Sequence, residues 1–245
     1  MMKIGIIGLG WLGKALASQL KNSGFDTWGT YRTNQPDFQP SYQLDTELPE
    51  ATHLVLCFPP SRSTNFPNEV EAIVRRFPST IKVILISSTS VYLDDNEVCE
   101  ETLSRSAYNL ENLNYLAEQK LAELLGENLT VIRMAGLVGG KRFPVVFMSQ
   151  SGKEYAGMDP VNLIHQVDAV NLIQFVLEKE LFGKTINGCS CEHPSKKEYY
   201  SWMAEKLQIN VPKFSDSTSA KKIISNNLSK ELGFIYSYSS PYDFL

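Results

Sequence analysis

The sequence predicts an α/β protein: a doubly wound parallel sheet with helices on both faces, followed by a small C-terminal α+β lobe. Three observations predict it. Short apolar runs of strand length alternate with segments of helical period, the rhythm of a parallel sheet joined by crossover helices. A glycine-rich turn, Gly8-Leu9-Gly10-Trp11-Leu12-Gly13, joins the first strand to the first helix. A hydroxyl cluster, Ser87-Ser88-Thr89-Ser90, closes a later apolar run, at the carboxyl end of a strand where such sheets bind ligands.

Composition sets the limits. The 245 residues carry 23 basic and 27 acidic side chains, a net charge of −4, and the basic ones are not clustered. That excludes a nucleic-acid groove or an anionic membrane surface as the main partner. With 43% hydrophobic residues the chain can bury a core. No apolar run reaches the roughly 18 to 20 residues that span a bilayer. The four cysteines, Cys57, Cys99, Cys189 and Cys191, are too sparse for a disulfide scaffold. Cys189 and Cys191 lack zinc-knuckle spacing, and with only His53, His165 and His193 no metal site is expected. Reduced thiols in a cytoplasmic protein are the expectation.

The N-terminus imitates a signal peptide, with a lysine, an apolar stretch and Ala15-Leu16-Ala17. Its four glycines are poor material for the required helix. Lys3–Ile7 reads instead as a buried strand, and Leu12–Lys21 as a helix with Leu12, Leu16 and Leu20 on one face. In the GxGxxG turn between them the first glycine allows a tight bend, the second lets a pyrophosphate approach, and the third lets helix pack on strand. The anion then meets the positive end of the helix. A dinucleotide site is therefore expected at Gly8, Gly10, Trp11, Leu12 and Gly13. The next strand, Asp26–Tyr31, should end on the residue that reads the ribose. There, after Thr30 and Tyr31, stands Arg32, 19 residues beyond Gly13 and with no carboxylate near it in sequence. A guanidinium matches a phosphate, so NADP is favoured, with NAD possible. The alternative is a solvated loop arginine.

Further strands are predicted at Tyr42–Leu44, His53–Phe58, Lys82–Ser87 and Leu129–Met134, with helices at Asn65–Phe77 and Tyr108–Leu125. Only Thr46–Thr52 separates the third and fourth strands, room for one helical turn at most. Lys141–Pro160 mixes Gly, Pro, aromatic and basic residues without period, as an irregular, substrate-facing segment would. A helix at Asp168–Lys179, a strand at Thr185–Cys189 and a helix at Lys196–Leu207 capped by Ser195 follow. A short helix ends near Gly233. The division expected is residues 1–140 as the dinucleotide-binding domain and 141–245 as a small substrate lobe, with 162–190 returning to the sheet.

The run Ile86-Ser87-Ser88-Thr89-Ser90-Val91-Tyr92, together with the glycine turn, resembles the extended short-chain dehydrogenase/reductase family of NAD(P)-dependent epimerases, dehydratases and reductases, and within it the small YeeZ-like branch. Three more segments agree: Arg133 to Gly139, Asn162 to Val170, and Leu232-Gly233-Phe234. The resemblance implies a Rossmann domain and an oxidoreductase or epimerase acting on a small polar carbonyl, alcohol or nucleotide sugar, as a monomer or homodimer. It places Ser88 on the substrate oxygen. It places Phe58 and Pro59 on the adenosine side, Asp45 at the adenine, and Met134 and Ala135 beside the nicotinamide, and it counts Ser87 among the cofactor-binding residues. Asp45 as a simple turn residue is the alternative.

One part of the pattern is broken. The family's Tyr-x-x-x-Lys pair puts a proton donor and a ribose-binding lysine on one helix face. Lys120 matches the lysine, but Leu116 stands four residues before it. Tyr115 is adjacent, yet at five residues its side chain diverges from Lys120 by about 140°. Leu93 also replaces the glycine that follows Val-Tyr in the family. Three explanations stand open. A π-bulge could bring Tyr115 and Lys120 together as a catalytic pair. Water or Tyr92 could donate the proton while Ser88 holds the substrate. Or the protein binds cofactor without this chemistry, as a non-enzymatic sensor, with Leu116 in the core. Elsewhere, Asp94, Asp95, Glu97, Glu100 and Glu101 read as a solvated loop or a lid. Lys141, Arg142 and Lys153 read as solubilising or anion-binding. His165 reads as a packed histidine, and Tyr199, Tyr200, Trp202 and Met203 as one packed helix face.

Overall fold

In the computed structural model, which describes residues 2–33, 37–60 and 63–245, the chain alternates as predicted. The order is β1 (Lys3–Ile7), α1 (Trp11–Asn22), β2 (Asp26–Tyr31), β3 (Ser41–Gln43), β4 (His53–Leu56), α2 (Phe66–Val74), β5 (Lys82–Ser88), β6 (Val98–Cys99), α3 (Leu113–Leu125), β7 (Leu129–Met134), β8 (Gly136–Val138), α4 (Pro144–Ser151), β9 (Glu154–Ala156), β10 (Leu163–His165), α5 (Gln166–Glu178), β11 (Thr185–Gly188), α6 (Lys196–Lys206), β12 (Lys213–Ser215), β13 (Ile223–Ile224) and α7 (Asn227–Glu231). Two compact units result. The first comprises residues 1–91, 109–133 and 170–186, and the second residues 92–108, 134–169 and 187–245.

The first unit holds the seven-stranded sheet, ordered β11-β7-β5-β4-β1-β2-β3, apart from the last residues of β7 and β11. β1 pairs in parallel with both β2 and β4, so the strand order reverses there. Because βαβ crossovers are right-handed, α1 (leading from β1 to β2) and α2 (leading from β4 to β5 in the opposite direction) must lie on opposite faces. One face is sealed by Val70, Ile73 and Val74 of α2 and Ala117, Leu121 and Leu125 of α3, packed on Leu54, Leu56, Val83, Leu85 and Val131. Beyond the other, α1 and α5 meet through Gln19, whose amide donates to Asn171 and Gln174 at 2.8 Å each. The link between β3 and β4 carries no helix, in keeping with its length.

The second unit is built from three two-stranded parallel pairs, β8–β10, β9–β12 and β6–β13. Its core gathers Val138, Val145, Met148, Leu163, Tyr199, Tyr200, Met203 and Phe244. Tyr199, Tyr200 and Met203 are buried, and Trp202 packs against the same cluster, as the helix-face reading expected. Ser195 and Glu198 form a reciprocal capping box on α6.

Two sequence expectations are corrected here. The helix expected from Tyr108 starts at Leu113, because Tyr108 bridges to Tyr92 and Asn112 is the cap. The expected irregular stretch 141–160 contains α4 and β9. Pro144 starts α4 and Gly152, at φ 67°, ends it.

Candidate functional site

The glycine turn lies at the point where the strand order reverses, at the carboxyl ends of β1 and β4. Gly8 adopts φ +102°, a conformation that favours glycine. Its N–H donates to Thr30 Oγ1 at 3.0 Å, and the Leu9 N–H donates to the Thr30 carbonyl at 2.7 Å, so the turn is tied to β2. A Cβ at Gly10 would meet no heavy atom within 4 Å, so the space over the start of α1 is open. A Cβ at Gly13 would lie 2.1 Å from the Gly8 carbonyl oxygen. Bend, open approach and close packing are thus each present at their own glycine. The first turn of α1 has no acidic residue and no side-chain cap, so nothing within it offsets the helix dipole. Trp11 and Leu12 form that turn, Leu12 buried and Trp11 half-buried.

Beyond the end of β2, Arg32 lines a cavity of about 460 Å³ together with Gln43, Leu44, Asp45, Glu69, Ala72 and Ile73. Its guanidinium lies 5.3 Å over the ring of Phe58 and pairs with Glu69 at 3.1 Å. Phe58 in turn meets Phe66 edge-on. Tyr31 is half-buried, and Pro59 and Asp45 are exposed. A larger cavity, about 600 Å³, lies at the other end of the sheet beside Lys3, Thr52 and Ile81, remote from every residue of the glycine turn.

Ser88 ends β5, half-buried, and its Oγ accepts the N–H of Ser90 at 3.1 Å, closing the 3-10 turn Thr89–Val91. Asn112 stitches this turn to α3: its Nδ2 donates to the Ser90 carbonyl at 3.0 Å while its Oδ1 accepts from Asn114 N at 2.9 Å. Asn112, Leu116 and Lys120 then follow at steps of four, one stripe of the helix. Lys120 is held by Glu71 of α2 at 2.9 Å. The helix is α throughout, with no π-bulge, so Tyr115 and Lys120 stay on different faces and Tyr115 is buried. Leu116 is 40% exposed. The expectation that it belongs to the core is corrected: it lies on the outward stripe, four residues before Lys120. Tyr92 is corrected as a proton donor, since it is 2% exposed and its hydroxyl donates to Asn187 at 2.9 Å within the second unit.

Met134 closes β7 and Ala135 follows, both buried in the second unit, where the Ala135 N–H donates to the Gly188 carbonyl. His165 of that unit is buried, its ring 4.0 Å from that of Tyr238, and burial lowers its pKa, as suits a packed neutral histidine.

Sequence reasoning missed two features. Ser87, buried, donates to Glu118 at 2.5 Å, and Glu118 is paired with Arg133 at 2.6 Å, all three nearly inaccessible. A glutamate inside the apolar stripe of α3 and an arginine inside the apolar run of β7 are the signals that could have found it. Glu69, the partner of Arg32, gave no such signal, being 37 residues from it.

No family model matches the chain. Protein YeeZ of Escherichia coli K12 is 31% identical over 277 aligned positions, covering 98% of each chain. The chain belongs to the YeeZ family. Among solved structures, the human epimerase family protein SDR39U1 with NADPH superposes with a TM-score of 0.78 at 16% identity, covering 98% of this chain and 96% of that one. MoeE5, in complex with UDP-glucuronic acid and NAD, gives 0.74 at 18%, covering 96% and 93%. These likenesses are of fold, and the YeeZ relative bears out the expected YeeZ-like branch. No helix among the described residues is long and apolar enough to cross a membrane.

Proposed function

We propose that this YeeZ-family chain binds a nicotinamide dinucleotide on its first unit, NADP(H) in preference to NAD(H). We propose further that it is an oxidoreductase or epimerase for a small polar carbonyl or alcohol, of the nucleotide-sugar kind, working in the cytoplasm as a monomer or homodimer. The observation that carries the reading is the glycine turn, where a bend, an open approach and a close packing contact fall on Gly8, Gly10 and Gly13. The NADPH of SDR39U1 and the UDP-glucuronic acid and NAD of MoeE5, proteins of the same fold, support these ligand classes.

When bound, the nicotinamide gives or takes a hydride. The chain does the rest. The start of α1 receives the pyrophosphate, Arg32 the 2′-phosphate with Phe58 and Pro59 beside the adenosine, and Asp45 accepts from the adenine amine. Ser88 donates to the substrate oxygen. With Leu116 in the tyrosine's place, the proton that accompanies hydride transfer comes from solvent.

Calorimetry should show NADP binding more tightly than NAD, and Arg32→Ala should remove the difference. Equal affinities in the unaltered protein would overturn the Arg32 assignment. In a dehydrogenase assay against nucleotide sugars and small carbonyls, Ser88→Ala should lower turnover by about 100-fold. Full turnover without that hydroxyl would exclude Ser88 from the chemistry. Leu116 also favours a second reading, a cofactor-binding sensor or interaction protein without catalysis. Substrate-dependent oxidation of NADPH by the purified chain would eliminate it.

A further inference from the structure

We propose that Glu69 sets the cofactor preference by holding Arg32 against capture by a 2′-phosphate. The proposal rests on the dinucleotide reading above and concerns a residue to which that reading gives no role. Arg32 is engaged on two sides: Phe58 lies under its face, and Glu69 Oε2 takes one of its terminal N–H groups at 3.1 Å. A phosphate binds a guanidinium best through its paired N–H edge, so the carboxylate occupies part of what the phosphate needs.

Glu69 is not a loose partner. Its other oxygen, Oε1, accepts from Ser63 Oγ at 2.5 Å. It sits in the first turn of α2, where the helix dipole favours a negative charge. The Ser63 hydrogen bond, followed by Arg32, holds its carboxyl below the usual glutamate range, so it is ionised at neutral pH. Asp45 lines the same cavity, which among the described residues sets one cation against two carboxylates. A 2′-phosphate brings up to two negative charges to this place and meets repulsion from Glu69. A 2′-hydroxyl brings none and meets no such repulsion. Glu69 therefore opposes NADP and leaves NAD unaffected.

Calorimetric titration of the full chain with NADP and with NAD, in a cycle of Glu69→Gln, Arg32→Ala and the double variant, tests this. Glu69→Gln should tighten NADP by about tenfold and move NAD by less than about twofold. In the Arg32→Ala background the same change should lose most of its effect on NADP, because the two residues act through one contact. Ser63→Ala, which frees Glu69 without discharging it, should move NADP in the same direction but less. An unchanged ratio of NADP to NAD affinity in Glu69→Gln, with both cofactors bound, would overturn this proposal alone. An equal gain in the Arg32→Ala background would overturn it too. If neither dinucleotide binds the unaltered protein, the dinucleotide reading fails and this proposal with it.

Discussion

Gly13→Ala is expected to weaken dinucleotide binding by about 10- to 100-fold and to lower the melting temperature as well. The new methyl would stand 2.1 Å from the Gly8 carbonyl oxygen, 3.1 Å from the Gly8 carbonyl carbon and 3.5 Å from Cys57 Cβ. The first two atoms are backbone of the turn itself, so the clash cannot be relieved by turning a side chain. Helix α1 must move off β1, or the turn must open, and either displaces the N–H groups that would face a pyrophosphate. Gly10→Ala is the instructive partner. Its methyl meets nothing in the protein within 4 Å, and Gly10 has φ −80°, open to any residue. That variant should melt as the unaltered protein does while still binding dinucleotide less well, since the methyl fills the approach rather than the core. Differential scanning fluorimetry and calorimetry on the two proteins separate the effects. Full cofactor affinity in Gly10→Ala would remove the pyrophosphate from this turn.

The strand–turn–helix around these glycines was legible because its determinants are local: three glycines at fixed spacing between two apolar patterns. The main sheet was legible for a similar reason, since β1, β4, β5 and β7 are apolar runs long enough to stand out. The pairs in the second unit were not. β8, β9, β10 and β12 have three residues each and β6 and β13 two, too short for any alternation to show. The start of α3 was misplaced because the apolar pattern continues back to Tyr108, while the residues that end it, Tyr92 and Asn112, act through pairing and capping. At the site the same contrast holds. That Leu116, and not a tyrosine, stands four residues before Lys120 could be read from spacing alone. That both expected cofactor cations, Arg32 and Lys120, are held by carboxylates of α2 could not, since Glu69 and Glu71 meet them only in the folded chain. Long-range charge pairing leaves no periodic trace.

The largest loss of stability is expected from Glu118→Ala, about 3–5 kcal/mol in urea unfolding of the full chain. Glu118 accepts from Arg133 Nε at 3.1 and 3.2 Å and from Nη2 at 2.6 Å, with Ser87 Oγ at 2.5 Å on the same carboxylate. Removing the carboxylate takes the Glu118 ion pair and its hydrogen bonds from a guanidinium that is only 5% exposed, where their loss is costly. Against a typical total of about 5–15 kcal/mol, such a loss is a large part of what holds a domain folded. Glu118→Gln keeps the shape and an acceptor for Ser87 but removes the negative charge opposite Arg133, so it should recover only part of the loss. The decisive comparison is Glu118→Leu with Arg133→Met. Because burying two charges is itself costly, replacing both by apolar side chains should destabilise less than either single replacement. If the double variant instead loses the sum of the two, the pair is not acting as a charge-compensated unit. The three residues come from β5, α3 and β7, so the network also fixes the helix that carries Leu116 and Lys120 against the strand that ends in Ser88. Glu118→Gln should therefore lower Ser88-dependent turnover even at temperatures where the chain remains fully folded, which circular dichroism on the assayed sample would establish.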